Sequence, residues 1–186
     1  MPAWGLVLIA LGAVLVIGAV TWALVDRRRS GRLRKRFGPE YDRTLRDADS
    51  RREAESELAE RERRRQALEI RPLSSVARHR YLSEWKATQA RFVDAPEDAV
   101  READVLVTEV MRERRYPMDD FDQRAADISV DHPHVVGNYR SAHAVSGRIE
   151  KAEVTTEDLR AAMVNYRALF EELLAAEDRE DVRNVG

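Results

Sequence analysis

Hydrophobic and polar positions divide this chain into three unlike stretches. From Ala3 to Val25 there are 23 residues without a charge. As a helix they would reach roughly 34 Å, against a hydrocarbon core of about 30 Å, which predicts a transmembrane helix. From Tyr41 to Ile70 charge takes over, and Tyr41, Leu45, Leu58 and Leu68 are the main large apolar residues. Beyond Arg71-Pro72 the apolar residues return at steps of three and four, the period of amphipathic helices.

Those stripes place the distal helices. Ser74 or Ser75 caps a helix reaching about Phe92, whose inner face is Tyr81, Leu82, Trp85, the Gln89 stem and Phe92. Pro96 sits in the first turn of the next, with Val100, Ala103, Leu106, Val107, Val110 and Met111 inward and Tyr116-Pro117 as its end. A short helix is predicted over 120–128. Asp131-His132-Pro133 should open another, running to about Ser146 with Gly147 as its C-terminal cap. Thr155 and Asp158 resemble a capping box ahead of the stripe Leu159, Met163, Tyr166, Phe170 and Leu173. Residues 177–186 read as a frayed polar tail. No segment alternates with a strand's period of two. The expected fold is all-α: a transmembrane helix (3–25), a basic juxtamembrane segment and turn at Phe37-Gly38-Pro39-Glu40 (26–40), a charged helical stalk (41–70), a compact bundle of four to five helices (72–176) and the tail.

The stalk is rich in acid-first i,i+4 pairs: Asp42–Arg46, Asp47–Arg51, Glu57–Arg61 and Glu60–Arg64. Each would add about 0.2 to 0.5 kcal/mol to a solvated helix. Four large apolar residues do not fill the a and d positions of a coiled coil, so a spacer helix is the preferred expectation over a dimeric coiled coil.

Charge sets the topology. Arg27, Arg28, Arg29, Arg32, Arg34, Lys35 and Arg36 follow the apolar run, with only Asp26 against them. By the positive-inside rule the N-terminus faces out and everything after Val25 is cytoplasmic. The same seven residues form the membrane-surface set, attracted to anionic lipid at about 1 kcal/mol each. Trp4 and Trp22 suit the two interfaces. A cleavable secretory signal is the rival reading. It fits less well, because no charge precedes the run and the run is long. Residues 71–186 hold seventeen basic and twenty-three acidic side chains, a balance that disfavours nucleic acid as partner. The bilayer and an unspecified protein are the expected partners.

Candidate chemistry is sparse. The chain has no cysteine, which removes disulfides and thiol catalysis. Phosphate-loop, dinucleotide, zinc-protease and nucleophile-elbow motifs are absent, so no catalytic or cofactor-binding residue is assigned. His132 and His134 form an H-x-H element beside Asp131, with Asp127 and His143 nearby, the leading candidate metal ligands, while the acidic cluster Asp119, Asp120 and Asp122 reads better as a helix cap facing water than as a cation site. Residues 114–140 mix aromatic, acidic and basic side chains around turns, where function tends to gather. Asp119, Asp120, Phe121, Arg124, His132 and Tyr139 are therefore the first place to seek a partner surface.

Arg-Phe-Gly-Pro-Glu-Tyr-Asp-Arg (36–43), the Glu/Arg stalk, Arg-Pro-Leu-Ser (71–74) and Phe-Asp-Gln-Arg-Ala-Ala-Asp-Ile-Ser-Val-Asp-His-Pro (121–133) resemble a family of uncharacterised actinobacterial single-pass membrane proteins. Its members are commonly labelled membrane or secreted proteins. The resemblance spans nearly the whole chain. It implies the architecture and supplies no activity, cofactor or catalytic residue. Three functions remain to be distinguished: a cytoplasmic-face interaction module, a membrane-bound metal-dependent enzyme using His132 and His134, and an exported helical protein.

Overall fold

The computed structural model describes residues 17–18, 20–21, 26–151 and 153–184, the last nine in backbone only. Among them every regular element is a helix, which establishes the all-α class. No helix among the described residues is long and apolar enough to cross a membrane. The expected span 3–25, with Trp4 and Trp22, lies outside the described residues apart from Ile17, Gly18, Val20 and Thr21.

Two compact units divide the chain, Met1–Leu58 and Ala59–Gly186. The first holds α1 (residues 26–37), α2 (Pro39–Asp47) and the opening turns of α3 (Arg51–Gln66). Gly38 separates α1 from α2 at φ 46°, a left-handed conformation that costs glycine nothing. Its N–H closes α1 on the Arg34 carbonyl at 3.0 Å, and Pro39 then starts α2 with its φ preset. The turn expected at residues 37–40 is thus present.

The single helix expected over 41–70 is instead two, and the second ends at Gln66. Asp47-Ala48-Asp49-Ser50 explains the break, since short polar side chains compete for backbone hydrogen bonds and favour caps. The Ser50 hydroxyl accepts from the Glu53 N–H at 3.2 Å. Ion pairing differs as well. Asp42 faces Arg34 at 3.6 Å and Asp47 faces Arg43 at 3.4 Å, in place of Arg46 and Arg51. Leu33, Phe37, Tyr41, Ala54 and Leu58 are this unit's buried apolar side chains.

The second unit adds α4 (Ser75–Arg91), α5 (Pro96–Glu113), α6 (Phe121–Asp131), α7 (Val136–Ile149) and α8 (Thr156–Asn184) to the end of α3. α5 packs on α4, α7 and α8, and α7 packs on α6 and α8. One apolar core joins these five helices, and it contains the predicted stripes. All six predicted core positions of α5 and all five of α8 are buried. Trp85 of α4 lies flat on Phe170 of α8, ring centroids 4.7 Å apart. Ser74 caps α4 by accepting from the Ala77 N–H, as its position predicts.

Three boundaries depart from expectation. α6 runs through Asp131, so Asp131 closes one helix rather than opening the next, and α7 begins only at Val136. Burial of Ala125, Ile128 and Val130 carries α6 past its expected end. α7 continues through Gly147 to Ile149, because Val145 and Ile149 share its buried face. The α8 backbone stays helical to Asn184, with no Gly or Pro before Gly186 to stop it.

The capping box opening α8 is reciprocal. Asp158 N–H donates to Thr155 Oγ1 at 3.1 Å, and Thr155 N–H donates to the Asp158 carboxylate at 2.9 Å. Those hydrogen bonds, backbone first, hold the Asp158 carboxyl below the usual range. Thr155→Ala should cost about 1 kcal/mol in a urea melt, with Thr155→Ser recovering most of it.

Candidate functional site

The polar side chains of residues 114–140 converge on the end of α3 inside the second unit. Arg61, Arg64 and Arg65 stand at i, i+3 and i+4, which puts them on one face of α3. Arg61 Nη1 donates to Ser129 Oγ at 3.3 Å. Arg64 is forked: Nη2 reaches Asp119 at 2.9 Å and Nε reaches Asp127 at 3.3 Å. Arg65 binds Asp131, whose carboxylate also accepts from the Tyr116 hydroxyl at 3.2 Å. This half of α3 is therefore clasped to α6 and the segment before it, rather than standing free as a solvated stalk.

Asp127 is the buried member of that clasp. Its side chain is 0% exposed and takes a 3.0 Å hydrogen bond from Gln123. Burial raises its pKa, while Gln123 and Arg64 oppose the rise. A raised folded-state value means that the carboxyl helps folding most below its unfolded pKa. That help is lost as pH rises through the folded value. At neutral pH the charge is a burden, offset in part by Arg64. Asp127→Asn should therefore change stability by within about 1 kcal/mol at pH 7. The wild type should gain on the variant as pH falls toward 4, an ordering readable from denaturation midpoints at the two pH values.

The expected metal ligands do not come together. His132 caps the end of α6 and is buried, whereas His134 is exposed in the following turn. Asp131 is engaged by Arg65 and Tyr116. His132 Nδ1 lies 3.5 Å from a Glu172 oxygen, and His143 Nδ1 lies 3.6 Å from Asp104. Burial, then the Arg114 guanidinium, pushes His132 below the usual imidazole range. No group of three His, Asp or Glu residues among the described residues could hold a metal ion.

Of the expected partner surface, Asp119 and Asp120 are exposed, and the other four residues are partly or fully buried. Asp119 holds Arg64, and its carbonyl accepts from Arg124 at 3.0 Å. Asp120 caps α6 through the Gln123 N–H at 2.8 Å. Phe121 is half-buried, stacked face to face on His143 with centroids 3.8 Å apart and tilted against Tyr139. Tyr139 is fully buried, so neither it nor His132 can present a surface. The contacts found in this region lie within the chain.

The seven membrane-surface residues fall on or beside one another along α1, and all are exposed. Three further residues of the same unit, Tyr41, Glu55 and Arg51, form a hydrogen-bonded group. Tyr41 of α2 donates its hydroxyl to Glu55 of α3 at 2.7 Å, and Glu55 holds Arg51 at 2.8 Å. Burial, then the hydrogen bond to Glu55, raises the Tyr41 pKa. The apolar step Tyr41–Leu45 hinted at a buried face on α2, but nothing local in sequence pairs a tyrosine with an acid fourteen residues on.

No protein-family model matches the chain, and no curated protein or solved structure matches it.

Proposed function

We propose that this chain is a single-pass, membrane-anchored helical interaction or scaffold module. Residues 3–25 are its anchor, and everything after Val25 lies on the cytoplasmic face. The observation that carries this reading is the 23-residue uncharged run followed directly by seven basic residues. Such a run is long enough to span, and such a cluster resists translocation. The five-helix core supports a self-contained domain beyond the anchor. The architecture also suits membership of the actinobacterial single-pass family that the sequence resembles.

Alkaline phosphatase fused after Gly186 tests the topology. The fusion should be silent in cells, because the enzyme matures only outside the cytoplasm. An active fusion would overturn the assignment in favour of export. Cross-linking of the full-length protein in its native membrane should then yield a protein partner in defined stoichiometry.

A further inference from the structure

The first unit contains a cavity of about 380 Å³ between α1, α2 and the start of α3. This lies within the range of roughly 300–1,000 Å³ typical of small-molecule sites. Arg27 and Arg34 line it from α1, and Arg51 lines it from α3. Asp42 is the only acid in its wall among the described residues, and it sits 3.6 Å from Arg34. With Glu55 paired to Arg51 behind the wall, three guanidinium groups stand against two carboxylates.

The site has a built side. Glu55, whose side chain is 7% exposed, fixes the Arg51 guanidinium at 2.8 Å. The Tyr41 hydroxyl fixes Glu55 in turn, and Tyr41 also lines the cavity. Arg51 is therefore held in place before any ligand arrives. Arg27 makes no ion pair with a described residue, so its charge is available. Gly31 completes the wall, and a Cβ added there would meet nothing within 4 Å. Arginine forks match the paired oxygens of phosphate, and a cluster of them favours an anionic ligand over a neutral one.

We propose that this cavity binds the phosphate of an anionic phospholipid headgroup. The lipid source rests on the anchor reading above, because Arg27 stands two residues beyond the end of the proposed span. Arg51 extends the basic set from α1 to α3, so recognition would depend on the fold of this unit and not on the run of arginines alone.

The test uses the full-length protein in uncharged detergent, with calorimetric titration of three probes: dihexanoyl phosphatidylglycerol, dihexanoyl phosphatidylcholine and inorganic phosphate. Saturable binding of phosphatidylglycerol alone is expected. Gly31→Leu, which keeps every charge but fills the cavity, should weaken it by roughly tenfold or more, as should Arg27→Ala, the loss of one charge-assisted contact. Arg52→Ala, an exposed charge of the same unit outside the cavity wall, should leave it unchanged. The proposal is overturned by no saturable binding, by equal binding of phosphatidylcholine, or by a Gly31→Leu variant that binds as the wild type does. Equal loss in Arg52→Ala would reduce the effect to diffuse charge and also overturn it. Binding of inorganic phosphate as tight as that of phosphatidylglycerol would reject the lipid source. Circular dichroism of each variant checks that the fold is kept. Anchoring is assayed separately, by retention in membranes after an alkaline wash. A protein released by that wash would refute the anchor without touching the titration.

Discussion

Trp85→Ala should unfold this protein more readily than any other single change on α4. The indole is 4% exposed and stacks on Phe170 with the ring planes 18° apart. Truncation removes that contact and leaves a cavity between α4 and α8, at a cost of about 3 to 5 kcal/mol. The urea midpoint of the full-length protein in uncharged detergent, followed by circular dichroism, measures it. Trp85→Phe should lose much less. It keeps an aromatic face against Phe170, and it removes an indole N–H that is buried without a hydrogen-bond partner. If alanine and phenylalanine cost the same, stacking is not what holds α4 to α8.

Arg114→Ala should have the next largest effect, for a different reason. Arg114 follows α5 and is 7% exposed, although no carboxylate among the described residues lies within ion-pair distance of it. Its Nη1 donates to the Leu173 carbonyl at 2.9 Å and its Nε to the Arg71 carbonyl at 3.3 Å. Its own carbonyl accepts from Arg71 N–H at 2.9 Å. One side chain thereby ties the segment before α4 and the end of α5 to α8. Alanine forfeits two charge-assisted hydrogen bonds and strands two acceptors, for about 3 kcal/mol. Lysine cannot reach both carbonyls with a planar fork and should recover only part of the loss. Methionine keeps the apolar stem without burying a charge, so it should cost less than alanine. Removing the guanidinium should also raise the His132 pKa, since burial and then the Arg114 charge hold it down. A histidine titration followed by NMR gives that second reading.

The helices of the second unit could be read from the sequence because their determinants are local. Val100, Val107 and Met111, or Leu159, Tyr166 and Phe170, repeat at helical spacing, and burial follows directly from that repeat. The same holds for caps, where Thr155 and Asp158 need only each other. Errors arose where tertiary burial outvoted a local signal. Asp131 looks like a cap in sequence, yet α6 runs on to it and Arg65 captures its carboxylate. Gly147 looks like a stop, yet Ile149 is buried beyond it.

The polar contacts were less legible still. A helix surface carrying Arg61, Arg64 and Arg65 reads alike whether it faces water or carboxylates, because composition is the same in both cases. Their partners lie 55 to 68 residues away, too far for any pattern of spacing to reveal. Tyr41, Glu55 and Arg51 were missed on the same ground. Only three-dimensional neighbours distinguish a solvated tyrosine from one that orients an ion pair.

Grip at the end of α3 comes from long charged arms, whereas the bundle is gripped by apolar burial. Ionic strength acts on the first, chiefly through the exposed Arg64–Asp119 pair, and scarcely on the second. Potassium or sodium chloride thus serves as a dial for one joint of the molecule. Raising it should quicken amide exchange along residues 59–66 while the interior of α5 and α8 keeps its protection. In an osmotically stressed cell, that seam would register the salt of its surroundings before the rest of the fold responded.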